Sequence, residues 1–208
     1  MHITIIGASN GVGYQSVLQA LKKGYRVTAL SSRLDTLPDD ENLIKITGSA
    51  TNPDDVERAI LNTDAVLITI GTKQKKNSTL FSDMAKAVVK AAERVNYISP
   101  VIFISGFGVG EGYRYASIFI KLVISLFLKD QYRDKKLMED IFEQSYLQWV
   151  MLQPGILSDA PLTSNYKVYS SFEKRMKVGK ISRMDVADFM LKEASAPRYL
   201  KKRVIVTY

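Results

Sequence analysis

The sequence predicts an α/β chain built on a doubly wound parallel sheet, with helices on both faces. Three observations carry this. Short apolar segments alternate with longer amphipathic ones along all 208 residues. One of the short segments, Ala65 to Ile70, is almost wholly apolar, as a strand buried on both faces must be. The first, His2 to Ile6, runs directly into a glycine-rich turn and then a helical pattern. Strands that alternate with helices favour right-handed crossovers and a parallel sheet.

The elements follow in order. His2 to Ile6 is the first strand, and Tyr14 to Lys23 the first helix. Arg26 to Leu30 and Leu43 to Thr47 are the second and third strands. Asp54 to Leu61 is a short helix, started by Asn52-Pro53, because Pro fits the first helical position and Asn can cap it. Ala65 to Ile70 is the fourth strand. Leu80 to Val95 is a long helix, with Met84, Val88, Ala91 and Ala92 at helical spacing. Val101 to Ser105 is the fifth strand, followed by two helices near 114–129 and 133–145. Gln148 to Gln153 is the sixth strand, stopped by Pro154-Gly155. Arg183 to Glu193 is the last helix and Arg203 to Thr207 the last strand. The whole chain, 1–208, reads as one domain without repeats or linkers, and 108–130 and 154–180 read as lid segments over a site.

Bulk composition narrows the function classes. With no cysteine, disulfides, thiolate metal sites and a Cys nucleophile are excluded, and a cytoplasmic location is expected. The single histidine, His2, lies on the first strand and reads as a core or edge residue, so histidine catalysis is not expected. The net charge of +8 is spread over Lys22-Lys23, Lys73 to Lys76, Lys135-Lys136 and Lys201 to Arg203. That suits an anionic small ligand better than nucleic acid, for which no module is present. The apolar start is a strand entering a turn, so no signal peptide is expected. The longest greasy stretch, Tyr115 to Leu128, is interrupted by Lys121 and is shorter than the roughly 20 apolar residues a membrane span needs. It reads as a buried helix, a ligand cover or a partner face, including a homodimer contact through 114–129.

The turn Gly7-Ala8-Ser9-Asn10-Gly11-Val12-Gly13 carries the chemistry. Gly7 permits a tight turn, Gly11 lets backbone N–H groups approach phosphate, and Gly13 lets the helix pack close to the sheet. The helix N-terminus adds unpaired donors and partial positive charge, so the expected ligand is a dinucleotide. The spacing is G-x-x-x-G-x-G, not the commoner G-x-G-x-x-G. Ligands of such sheets lie beyond the carboxyl ends of the strands, which here are 7–13, 31–33, 48–51, 71–73, 105–109 and 154–159. Sites for NAD place Asp or Glu after the second strand; this chain has Ser31-Ser32-Arg33, which suits a 2′-phosphate and favours NADP(H) over NAD(H). Asp35 lies slightly further on.

Taken together, these residues resemble the atypical short-chain dehydrogenases/reductases with a single NAD(P)H-binding domain. The likeness is to the flavin reductase (NADPH)/biliverdin IXβ reductase branch and to NmrA-like proteins. The matching stretches are Gly7 to Gly13, Gly24 to Thr28, Asp64 to Val66 through Gly71-Thr72, and Ser105-Gly106-Phe107. Asp159 to Thr163 with Tyr166, and Ile181-Ser182 with Asp185 and Phe189 to Leu191, complete the set. The resemblance implies a Rossmann-like fold in which Gly7, Ser9, Asn10, Gly11 and Val12 hold a pyrophosphate. Ser32 falls where the family often has an Arg, a role that passes to Arg33. Ile70, Gly71 and Thr72 pass beside the cofactor, with Ser105 near the nicotinamide and Phe107 facing a planar acceptor. Pro154 and Ile156 line the nicotinamide pocket. The chain departs from the family at Ile156, where the flavin reductase has a histidine, and at Asn10, where the middle glycine usually stands. It departs again at Ser49, which replaces an acidic residue beside the cofactor.

The larger superfamily uses Ser, Tyr and a Lys four residues later. Tyr132 and Lys136 have that spacing, yet counting back from Pro154 places the family lysine at Lys135, where it would touch the cofactor ribose. Reducing a ketone needs an acid for the developing alkoxide. Reducing a flavin or quinone needs mainly stacking and orientation, which Phe107, Tyr113 and Tyr115 are placed to supply. The expected activity is NAD(P)H-dependent hydride transfer to a flavin, quinone or similar planar acceptor, with Ser105 orienting it. The alternatives are a non-catalytic NADP(H) sensor and a ketone reductase or epimerase using Tyr132.

Overall fold

A computed structural model describes residues 1–72, 74, 76–173 and 176–208. Positions 73, 174 and 175 of the expected after-strand and lid segments, and residue 75, lie outside the described residues, as does the side chain of Phe119. Among the described residues, eight strands form one sheet in the order β3-β2-β1-β4-β5-β6-β10-β8. They are β1 (His2–Ile6), β2 (Arg26–Ser31), β3 (Leu43–Thr47), β4 (Ala65–Ile68), β5 (Pro100–Ile104), β6 (Gln148–Pro154), β8 (Lys167–Tyr169) and β10 (Lys202–Thr207). All neighbours run parallel except β8, which pairs antiparallel with β10 at one edge. Two further strands, β7 (Ile156–Ser158) and β9 (Lys180–Ser182), pair with each other. This is the Rossmann-like α/β architecture that the alternation of patterns implies.

The strand order reverses between β1 and β4. From β1 the chain moves outward through α1 (Gly11–Lys22) to β2 and β3, then returns through α2 (Pro53–Ile60) to β4 on the other side. The carboxyl ends of β1 and β4 therefore flank a crevice, which is where ligands of such sheets bind. One face of the sheet is covered by α1 and by α6 (Arg183–Ser195); Val12, Val17, Val186 and Met190 belong to that core. The other face packs against α2, α3 (Leu80–Arg94) and α5 (Lys129–Gln144), with Val56, Met84, Val88 and Met138 buried in its core. On this side Phe142 of α5 stacks on Phe103 of β5, with centroids 4.3 Å apart. Truncating a ring buried this way costs about 3–5 kcal/mol, so α5 is firmly seated.

Helix ends follow local chemistry. The Asn52 side chain accepts from the Asp54 N–H and caps α2, with Pro53 at its first position. Thr79 caps α3 without a side-chain bond. Instead the buried Asp134 of α5 accepts from the N–H groups of Phe81 (2.9 Å) and Ser82 (3.1 Å), so one helix caps another. This contact fixes α5 against α3.

Three expectations are corrected. The two helices near 114–129 and 133–145 are a six-residue 3₁₀ segment at Gly110–Tyr115 followed by α4 (Ile118–Val123), which continues through a π turn at Ile124–Leu128 into α5. The helical path never breaks because no Pro or Gly lies between 118 and 144. Pro154 is the last residue of β6, not its stop, since its missing N–H falls at the strand end. The chain then enters β7 after Gly155, where a Cβ would lie 2.2 Å from the Gly179 carbonyl oxygen. Strands β7, β8 and β9 are three residues each, too short to show a period of two. His2 is half-buried at the amino end of β1, remote from the crevice, with Nε2 2.9 Å from Thr28 Oγ1 and Nδ1 3.2 Å from the Asn62 carbonyl. Among the described residues no helix is long and apolar enough to cross a membrane.

Candidate active site

The crevice begins at the glycine turn. Gly7 has φ +88° and Gly11 φ +55°, both in the left-handed region where a side chain is strained. At Gly13 a Cβ would sit 2.2 Å from the Gly7 carbonyl oxygen and 2.5 Å from Thr69 Oγ1. Only glycine lets α1 start this close to the sheet. Thr69 Oγ1 donates within 3.0 Å of the Ile6 carbonyl and 3.2 Å of the Gly7 carbonyl, which ties the turn to the end of β4. Asn10 caps α1 without a side-chain bond, so the first-turn N–H groups keep their capacity to donate.

A cavity of about 550 Å³ extends from this turn across the carboxyl ends of four strands. The turn contributes Asn10, Gly11 and Val12, and the segment after β4 contributes Ile70 and Gly71. The end of β5 contributes Ser105 and Phe107, and the β6–β7 junction contributes Pro154 and Ile156. Tyr132 and Lys135 enter from α5, one helical turn apart. Ile120, Val123, Ile124 and Leu128 form an apolar wall.

Other expected site residues lie outside this lining. Gly7 shapes the turn from below. The Ser31 hydroxyl donates to Ser9 Oγ (3.1 Å), which draws the end of β2 toward the turn. Ser32 and Arg33 follow, both exposed, and Arg33 makes no ion pair among the described residues. Ser49 faces the start of α2: its N–H donates to Asp55 Oδ2 (2.8 Å) and its hydroxyl pairs with Thr51 Oγ1 (2.9 Å). The Thr72 hydroxyl accepts from the Gln74 N–H at 3.0 Å. Tyr113 is exposed, with Lys121 Nζ 5.5 Å from its ring centroid. Tyr115 stacks on Phe172, centroids 4.9 Å apart, away from the lining.

Polar groups inside the cavity are held tightly. Lys135 Nζ donates to the Ser105 carbonyl at 2.8 Å and lies 5.0 Å from the Phe81 ring centroid. Burial pulls its pKa down to about 8, against the opposing pull of Glu139. Tyr132 Oη donates to the Phe107 carbonyl at 3.2 Å, and burial raises its pKa, so the phenol stays neutral. Lys136, at the superfamily spacing from Tyr132, pairs with Asp140 instead. Ser105 Oγ donates to Glu139 Oε1 at 2.6 Å.

The sequence model of an NAD(P)H-binding family matches residues 7–197. The chain belongs to this family. Its fold is also that of solved NAD(P)-binding proteins. A Veillonella parvula short-chain dehydrogenase/reductase in complex with NADP superposes with TM-score 0.85 at 19% identity, over 100% of this chain and 94% of the other. ChuY, an anaerobillin reductase of Escherichia coli O157:H7, gives 0.82 at 23% identity, over 100% and 97%. A Streptococcus pneumoniae protein provisionally named an NADH-flavin reductase gives 0.79 at 19%, over 100% and 99%.

The residues present fit a dinucleotide. First-turn N–H groups of α1 face a glycine cradle, and Gly71 has open space where a Cβ would stand. Three residues not expected from the sequence complete the site. Arg183, the first residue of α6, lines the cavity, and its side chain comes within 3.8 Å of where a Cβ on Gly11 would be. Its Nη1 is held by Asp159 Oδ1 at 2.8 Å. Glu139 and Gln153 are fully buried behind Ser105. An Arg at a helix start reads as solvated in sequence; the signal for Glu139 was its place seven residues after Tyr132, on the same helical face.

Proposed function

We propose that the protein is an NADPH-preferring reductase of flat, conjugated acceptors such as flavins or quinones. One observation carries the reading: the glycine cradle opens without interruption into an apolar chamber that contains Ser105, Phe107, Tyr132 and Lys135. In it the N–H groups of the first turn of α1, with Arg183, would hold the pyrophosphate. Lys135 would hold the nicotinamide ribose, and Pro154 and Ile156 would keep the ring toward β5. Once bound, the dinucleotide supplies a hydride. The apolar wall from 120 to 128 excludes water, and Phe107 presents a flat surface for the acceptor. The Tyr132 phenol is protonated, but its hydrogen is committed to the Phe107 carbonyl, which suits orientation more than proton donation to a ketone. A delocalised acceptor tolerates that arrangement, because the added charge spreads over its ring system. Exposed Arg33 is free to meet a 2′-phosphate, and the NADP-bound neighbour supports that choice.

The test is steady-state oxidation of NADPH and of NADH with FMN, riboflavin and a simple quinone. Turnover that prefers NADPH supports the proposal, and Arg33→Ala should cut the preference about 10-fold, close to 1.4 kcal/mol. Tyr132→Phe should leave turnover within about threefold, a change of under 1 kcal/mol; collapse would transfer the reading to a ketone reductase. A second reading, a non-catalytic NAD(P)H sensor, is favoured by the exposed stripe Ile118, Leu122 and Leu126 on the outer side of the cavity wall. It requires tight NADPH binding with no turnover on any acceptor.

A further inference from the structure

The cluster behind Ser105 has acceptors in excess of donors. Glu139 is 0% exposed, and its Oε1 accepts from Ser105 Oγ (2.6 Å) and Gln153 Nε2 (2.9 Å). Among the described residues its Oε2 has no hydrogen-bond partner, and neither has the buried Gln153 Oε1. Arg203 Nη2 of β10 is 3.6 Å from Oε2, beyond hydrogen-bond range, and is engaged by Glu143 at 2.9 Å. The other charged groups around the carboxyl are Lys135 and Glu143 on α5 and, across Arg203, Glu111 at 3.8 Å from that guanidinium. Lys136, near Gly110, is paired with Asp140. A carboxylate buried this way carries a charge that its two hydrogen bonds do not offset, and one proton on the carboxyl removes that charge.

We propose that Glu139 is a positioning residue that holds a proton for Ser105, and that Ser105 delivers it into the cavity. This rests on the reductase reading only for the identity of the acceptor. With Glu139 ionised, the Ser105 hydrogen is held toward Oε1 and only a lone pair faces the cavity. With Glu139 protonated on Oε1, the carboxyl donates to Ser105 Oγ and the serine hydrogen is released toward the cavity. Hydride transfer from the reduced dinucleotide adds two electrons and one hydrogen to the acceptor and leaves one negative charge there. Ser105 Oγ–H gives its proton to that charge, Glu139 returns a proton to Oγ, and solvent reprotonates the carboxylate. Arg203 also borders a second cavity of about 300 Å³ with Glu111 and Phe172, the side from which a solvent proton would have to reach the buried carboxyl. Burial raises the Glu139 pKa above the usual carboxylate range, against the bonds from Ser105 and Gln153 and the charge of Arg203.

Infrared difference spectra across pH, with NADP+ bound, read the proton directly. The wild type should show a protonated carboxyl band at neutral pH that E139Q lacks and that S105A shifts. With FMN as acceptor, the wild-type rate should fall as that band titrates away. E139Q should be slower by no more than roughly 10-fold, since a flavin spreads the added charge over its rings, and should lose this limb of the profile. Absence of the band at neutral pH, or an E139Q profile that follows the wild type, overturns the proposal. If E139Q does not fold, S105A carries the same test, since it must shift the band and lose the same limb. If no acceptor turns over, the reductase reading fails, while the band and its response to S105A still decide whether the two residues share a proton.

Discussion

Lys135 shows how a single residue trades stability for a site. Its ammonium is drawn from water into the cavity, and burial lowers its pKa to about 8. In the unfolded chain a lysine titrates near 10.4. Between these values the unfolded state binds more protons than the folded one, so stability rises with pH from about 8 upward. Urea denaturation at steps between pH 7.5 and roughly 9.5 should show this rise, and Lys135→Met should remove it. NADPH affinity should move the other way, weakening above about pH 8 as the positive charge is lost. Affinity that is flat across this range would place Lys135 away from the ligand. At this scale the sequence was partly legible. The glycines could be read because each glycine permits what other residues forbid, and Gly13 has a carbonyl oxygen where its Cβ would be. Arg183 could not, because a charged residue at a helix start reads as solvated until the fold shows what covers it, and Glu139 offered only its i, i+7 spacing from Tyr132.

Among the elements, α5 brings the chemistry to the crevice, and Asp134 sets its position. Two backbone N–H groups at the start of α3 are met only by this carboxylate from another helix. Asp134→Ala should cost about 2 kcal/mol, or ~4–8 °C in melting temperature. It should also weaken NADPH binding, because Tyr132 and Lys135 lie within the same helical turn as Asp134. A variant with normal melting would mean that packing of Met138 and Phe142 alone seats the helix. The strands of the main sheet except β8 were legible within one or two residues, since β1, β2, β4 and β5 are buried apolar runs, whereas β8 lies in a segment read only as a lid. The helical path from 118 to 144 was not, because a π turn re-phases the apolar pattern and mimics two helices. The Tyr132–Lys136 spacing failed for a related reason: the face toward the cavity is i, i+3, so Lys135 enters and Lys136 turns to Asp140.

For the whole molecule, function follows from where the strand order reverses. The strand order reverses between β1 and β4, and a cavity of about 550 Å³ lies at the carboxyl ends of the strands there. Everything polar that enters it comes from a strand end or from a helix N-terminus, apart from Tyr132 and Lys135. The surplus of positive charge, +8 over the chain, favours association with an anionic dinucleotide. The most direct measurement is a single turnover: protein in excess over NADPH, mixed with FMN, and followed at the NADPH absorbance band. The account predicts a bleach in one phase that slows when the transferable hydrogen on the nicotinamide is replaced by deuterium. Tight NADPH binding without a bleach would contradict it.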